Sequence, residues 1–137
     1  MYKSEAMLVQ DFMAHLSRNE NKLKISEFNV EFNYNSGRVD IVGTMESGDI
    51  VSIEAKLCKW KTALDQAFRN TSFSHYSYVL LPKKVANHAK KYPHEFAKRS
   101  VGLCSLDKSD IKIEISATRS EPIQPWLTQS AIIYVRN

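Results

Sequence analysis

Apolar residues recur along this chain with two periods, and the switches between them mark the elements. In SEAMLVQDFMAHLSRN (4–19), Leu8, Val9, Phe12, Met13 and Leu16 fall at helical spacing, and Ser4 is placed to cap the start. Glu5 stands one turn before Leu8 and Val9, so it is expected at the end of the buried face. The next stretch, LKISEFNVEFNYN, alternates as a strand should, which puts Phe28, Val30, Phe32 and Tyr34 on one face. RVDIVGT and DIVSIEAKL read as two further strands. WKTALDQAFRNTSF returns to helical spacing, with Ala63, Leu64, Ala67, Phe68 and Thr71 on one face and Gln66 on its shoulder. HYSYVLLP is a short apolar run ended by Pro82, as in a buried strand. The basic stretch 83–100 reads as helix, broken or kinked near Pro93. VGLCSLD and IKIEISAT are expected strands. The tail has two readings: a helix opened by Pro125 and containing Trp126, Leu127 and Ile132, or a strand in AIIYVRN.

The resulting order is helix, three strands, helix, strand, helix, then strands. An antiparallel start followed by a helical crossover implies an α/β fold, a mixed central sheet flanked by helices. At 137 residues the chain fits one domain spanning 1–137.

Charge intrudes in one apolar place. Asp40 interrupts the second strand, and Glu54 and Lys56 interrupt the third, where burying charge is costly. Their relation depends on the turn between the strands. A two-residue loop at Ser47-Gly48 would put Asp40 opposite Ala55, with the two carboxylates on opposite faces. A three-residue loop, Glu46-Ser47-Gly48, would pair Met45 with Asp49 and set Asp40 across from Glu54. The longer loop needs a residue in the left-handed region at its third position, where Gly48 stands. The second register is therefore expected.

Carboxylates directly opposed on neighbouring strands repel, and one tends to keep its proton unless a cation lies between them. Oxygen ligands with room for water suit Mg²⁺ or Mn²⁺. Lys56, on the same side as Glu54, could hold a water or neutralise charge on a phosphate. Acid–lysine pairs also occur on solvated sheet faces, at about 0.2–1 kcal/mol each. The apolar surroundings, Glu5 and Gln66 favour a chemical site over that reading.

These residues resemble the PD-(D/E)XK nuclease superfamily, the restriction-endonuclease-like fold. Its pattern is an acid in one strand and acid-x-lysine in the next: here Asp40, then Glu54 and Lys56 in EAK. The element order resembles its αβββαβ core over residues 2–82, with 83–137 as an extension. Val39 stands where the family often has proline. The resemblance implies that Asp40, Glu54 and the Ala55 carbonyl bind the metal and that Glu5 joins them. It also implies that Gln66 acts beside Lys56.

Composition adds a bias toward polyanions. Net charge is +4 and the sequence pI about 9.1. Lys59, Lys61 and Arg69 surround the expected site and could contact phosphates. Lys83, Lys84, Lys90, Lys91, Lys98 and Arg99 read better as a solvated helix face. Trp60 and Tyr78 are expected in the core. Cys58 and Cys104 form no CxxC pair and read as buried thiols of a reducing compartment. With no secretory segment and no membrane-length apolar run, the expectation is a cytoplasmic protein. The leading expectation is a Mg²⁺- or Mn²⁺-dependent nuclease cutting DNA, with RNA open. A homodimer or a targeting protein would supply reach or specificity. Two alternatives stay open: a catalytically inactive nucleic-acid-binding module, and an interaction subunit with the same fold.

Overall fold

The computed structural model describes residues 2–18, 21–34, 37–108 and 110–137. Asn19 and Asn35, the last residues of the expected first helix and first strand, lie outside them. The elements in chain order are α1 (Glu5–Leu16), β1 (Ile25–Tyr34), β2 (Gly37–Met45), β3 (Ile50–Ala55), α2 (Trp60–Asn70), β4 (Tyr76–Pro82), α3 (Lys83–Ala89), α4 (Pro93–Ala97), β5 (Val101–Leu106), β6 (Ile111–Ile115) and α5 (Pro125–Arg136). Among the described residues, six strands join one sheet in sequence order. β1, β2 and β3 form an antiparallel meander, β3, β4 and β5 run parallel, and β6 returns antiparallel. Parallel neighbours need crossovers, which α2 and the α3–α4 pair supply. This is the mixed α/β sheet with an αβββαβ opening that the patterning predicts.

Helices cover both faces. Leu8, Phe12 and Leu16 of α1 pack on Ile41, Val51, Ile53, Ala55 and Leu80. On the other face α2, α3 and α4 pack on Val79, Leu81, Val101 and Leu103. Ala131 and Val135 of α5 meet Phe32, Val42, Ile50 and Phe73. Phe12 is fully buried, and truncating it to alanine would cost about 3–5 kcal/mol. Ser4 caps α1 as its position suggests, accepting the Met7 N–H at 3.1 Å.

Four expectations are corrected or decided. Phe28, Val30, Phe32 and Tyr34 do not share one face. Phe28 and Val30 pack with the α1 core, Phe32 and Tyr34 with the α5 core. Glu31 stands between the two pairs at φ +57°, a left-handed backbone that breaks the alternation. Cys104 is buried, but Cys58 is exposed, because it falls in the turn after β3 rather than in a strand. The basic stretch is two helices, α3 and α4, with Pro93 opening the second. The tail is helical, with Pro125 in its first turn. Trp60 and Tyr78 are buried as expected.

The β2–β3 turn takes the three-residue form. Met45 N–H donates to Asp49 O and Gly48 N–H to Met45 O, each at 2.9 Å. Gly48 has φ +91°, a conformation that favours glycine. The register runs from Thr44↔Ile50 to Ile41↔Ile53, so the next pair outward is Asp40 and Glu54.

Candidate active site

Glu54 sits near the end of β3 with 3% of its surface exposed, on the α2 side of the sheet. At the outer end of the β2–β3 ladder a side chain takes over from backbone pairing. The Ala55 N–H donates to Asp40 Oδ2 at 2.8 Å. That bond fixes Asp40 against β3 and turns it toward Glu54.

The pair is short of positive charge. Burial, then the neighbouring Asp40, pushes the Glu54 carboxyl up to about 8, partly offset by the Asn70 hydrogen bond and by Lys56. Burial also raises Asp40, against the lowering effect of the Ala55 N–H and of a hydrogen bond with Glu54. Two carboxyls so placed favour holding a proton between them when no cation is present.

Lys56 lies half-buried just past β3, and its N–H donates to Leu80 O at 3.1 Å. Glu5 is not on a buried face. It is exposed at the opening of α1, its Oε2 accepting the Leu57 N–H at 3.4 Å. Its charge still raises the Asp40 pKa. Glu5 thus approaches the end of β3 from the α1 face while Glu54 looks toward α2. Among the described residues no three His, Cys, Asp or Glu side chains form a metal-holding group.

Gln66 lies on α2 one turn before Asn70, and its Oε1 is buried without a hydrogen-bond partner. Lys59 and Lys61 are exposed at the opening of α2, and Lys61 Nζ lies 5.7 Å from the Trp60 ring centroid. Arg69 is exposed near the end of α2, close enough to lower the Tyr34 pKa.

Sequence reasoning missed two residues. Asn70 Nδ2 donates to Glu54 Oε2 at 2.7 Å, and Tyr34 Oη donates to Asn70 Oδ1 at 2.6 Å. The available signal was spacing: Asn70 follows Ala63, Gln66 and Ala67 on the helix face turned to the sheet. A surface depression of about 980 Å³ lies at the hairpin end of β3, bounded by Leu16, Ile25, Met45 and Tyr76. It is remote from the carboxyl pair.

No protein-family model and no curated protein matches the chain. The fold does have counterparts among solved structures. A protein of unknown function from Silicibacter pomeroyi aligns over 99% of this chain and 86% of its own, with TM-score 0.67 and 18% identity. That likeness shows a shared fold. A repair endonuclease from Pyrococcus abyssi aligns over 79% of this chain and 49% of its own, with TM-score 0.45 and 18% identity. SfsA from Pyrococcus furiosus, in complex with Ca²⁺, aligns over 83% and 61%, with TM-score 0.40 and 10% identity. The last two likenesses are too slight to bear on this chain's chemistry. No helix among the described residues is long and apolar enough to cross a membrane.

Proposed function

We propose that this protein is a divalent-metal-dependent nuclease that hydrolyses DNA phosphodiester bonds. One observation carries the reading: Glu54, buried, and Asp40, half-buried, meet just beyond the end of the β2–β3 ladder, with Asp40 Oδ2 held by the Ala55 N–H at 2.8 Å. A small divalent cation fits that donor set, because two hard carboxylate oxygens, a backbone carbonyl and water are what Mg²⁺ or Mn²⁺ takes. Asp40, Glu54 and the Ala55 carbonyl would hold it, with Glu5 acting from the α1 side through water. Bound there, the cation would supply Lewis-acid stabilisation of the phosphate and a lowered pKa for water.

The chain's own residues do the rest. Asp40, held by the Ala55 N–H, presents its remaining oxygen to the site. Lys56 orients the attacking water and offsets charge on the phosphate. Gln66 offers a buried acceptor to a water or a phosphate hydroxyl. Lys59, Lys61 and Arg69 position the polyanion without reading its sequence.

The test is one panel: supercoiled, linear, branched and single-stranded DNA, and RNA, each with and without Mg²⁺ or Mn²⁺. Metal-dependent nicking of any DNA supports the reading, and cleavage of RNA alone moves the substrate class. No cleavage anywhere, with binding that weakens as salt rises, establishes the second reading, an inactive nucleic-acid-binding module. What favours that alternative is the lack of a three-ligand cluster among the described residues.

A further inference from the structure

Buried metal-binding carboxylates rarely stand alone; a neighbour occupies one oxygen and leaves the other for the ion. We propose that Asn70 and Tyr34 are positioning residues that do this for Glu54, an inference that rests on the metal site proposed above. The amide of Asn70 comes from the last turn of α2 and is 2% exposed. Its Nδ2 donates to Glu54 Oε2 at 2.7 Å, and its Oδ1 accepts the Tyr34 hydroxyl at 2.6 Å. The second bond decides the first. An amide can present either its oxygen or its nitrogen, and a phenol that donates to the oxygen leaves the nitrogen facing the carboxylate.

The relay is braced on both sides. Ser74 Oγ donates to the Asn70 carbonyl at 2.9 Å. The Tyr34 ring lies 5.0 Å from the Phe73 ring centroid and 6.2 Å from that of Phe32. A matching arrangement exists on the facing strand, where the Ala55 N–H occupies Asp40 Oδ2. Each carboxylate thus has one oxygen committed to a protein N–H, and the remaining hydrogen bond, between the two carboxyls themselves, is the one an incoming cation would replace. The relay leaves Glu54 to act as a one-oxygen ligand, which suits a small octahedral ion that keeps several waters.

Isothermal titration with MnCl₂ alone, on the full chain, tests this without nucleic acid. Tyr34→Phe keeps the ring packing and removes only the hydroxyl; Asn70→Ala removes the amide. Asn70→Ala is expected to raise the Mn²⁺ Kd about 10–100-fold, and Tyr34→Phe by a smaller factor. A purely structural role would lower the metal-free melting temperature and leave the Kd of the folded protein unchanged. If wild type binds Mn²⁺ and Tyr34→Phe binds it equally well, the relay is overturned while the metal site stands. If wild type shows no binding, the metal site fails and the relay falls with it.

Discussion

Two polar residues on one face of β3, only two positions apart, have opposite fates. Ser52 is fully buried and satisfied: its Oγ lies 2.8 Å from Ser74 Oγ and 3.0 Å from Ser77 Oγ, and those two lie 2.8 Å apart. Glu54 is almost as buried, yet its near neighbour is another carboxyl. A hydroxyl both donates and accepts, so the three can pass hydrogen bonds to one another, the chain ending where Ser74 Oγ donates to the Asn70 carbonyl. An ionised carboxylate only accepts, so two of them cannot satisfy each other without a proton or a cation. Burial of polarity therefore means something different at each position. At Ser52 it ties α2 to the sheet; at Glu54 it leaves a charge imbalance that a ligand can relieve.

Four substitutions would break or sharpen that contrast. Asp40→Asn removes the charge and keeps an acceptor for the Ala55 N–H; cleavage should fall at least about 100–1,000-fold, with DNA binding retained in a gel-shift assay. Wild-type cleavage by this variant would remove Asp40 from the site. Next is Glu54→Gln, whose amide can still accept from Asn70 while donating to Asp40. It should melt higher than wild type at pH 8 without metal, and gain no stability from Mn²⁺. Ser52→Ala should cost about 1–3 kcal/mol in urea unfolding, because it leaves Ser74 and Ser77 incompletely paired. Cleavage by the folded fraction should be unchanged. Gln66→Leu is the smallest change. Removing an unpaired buried acceptor should leave stability equal or slightly higher, within about 1 kcal/mol, while a Gln66 that positions water would show as a lower kcat.

The same contrast has a pH signature. Glu54 holds its proton more tightly in the folded chain than in the unfolded one, where its ordinary value is 4.5. Below that value both states are protonated. As pH rises from there toward about 8, the unfolded chain ionises first, so metal-free stability declines. Mn²⁺ must displace the proton, so its stabilising effect should grow over the same window. Melting curves from pH 5 to 9, with and without Mn²⁺, should diverge upward in pH. Parallel curves would show that no ion binds the pair, and Glu54→Gln should flatten the metal-free trend.

Much of the sheet was legible in the residues. Period-two and helical spacings placed most strands and helices; Pro93 signalled a break in the basic stretch, where the structure starts a second helix, and Pro125 offered one of two readings of the tail, the helical one that forms. Gly48 suits the third, left-handed place of the longer loop, and that is the register formed. From that register the meeting of Asp40 and Glu54 followed by counting. Such features are local: each depends on a few adjoining residues and on backbone sterics.

What lay beyond reach was everything decided by distant neighbours. Tyr34 and Asn70 are 36 positions apart, and Asn70 is 16 from Glu54, so no spacing rule joins them. The division of β1 between two cores depends on Glu31 adopting a conformation its side chain does not demand. Glu5 was assigned to a buried face by its helix period, but α1 crosses its sheet so that this first turn projects past the end of β3. Sequence determined which groups are charged and which face of its own element each occupies. Only packing determined which buried charge finds a donor and which is left facing another of its own sign.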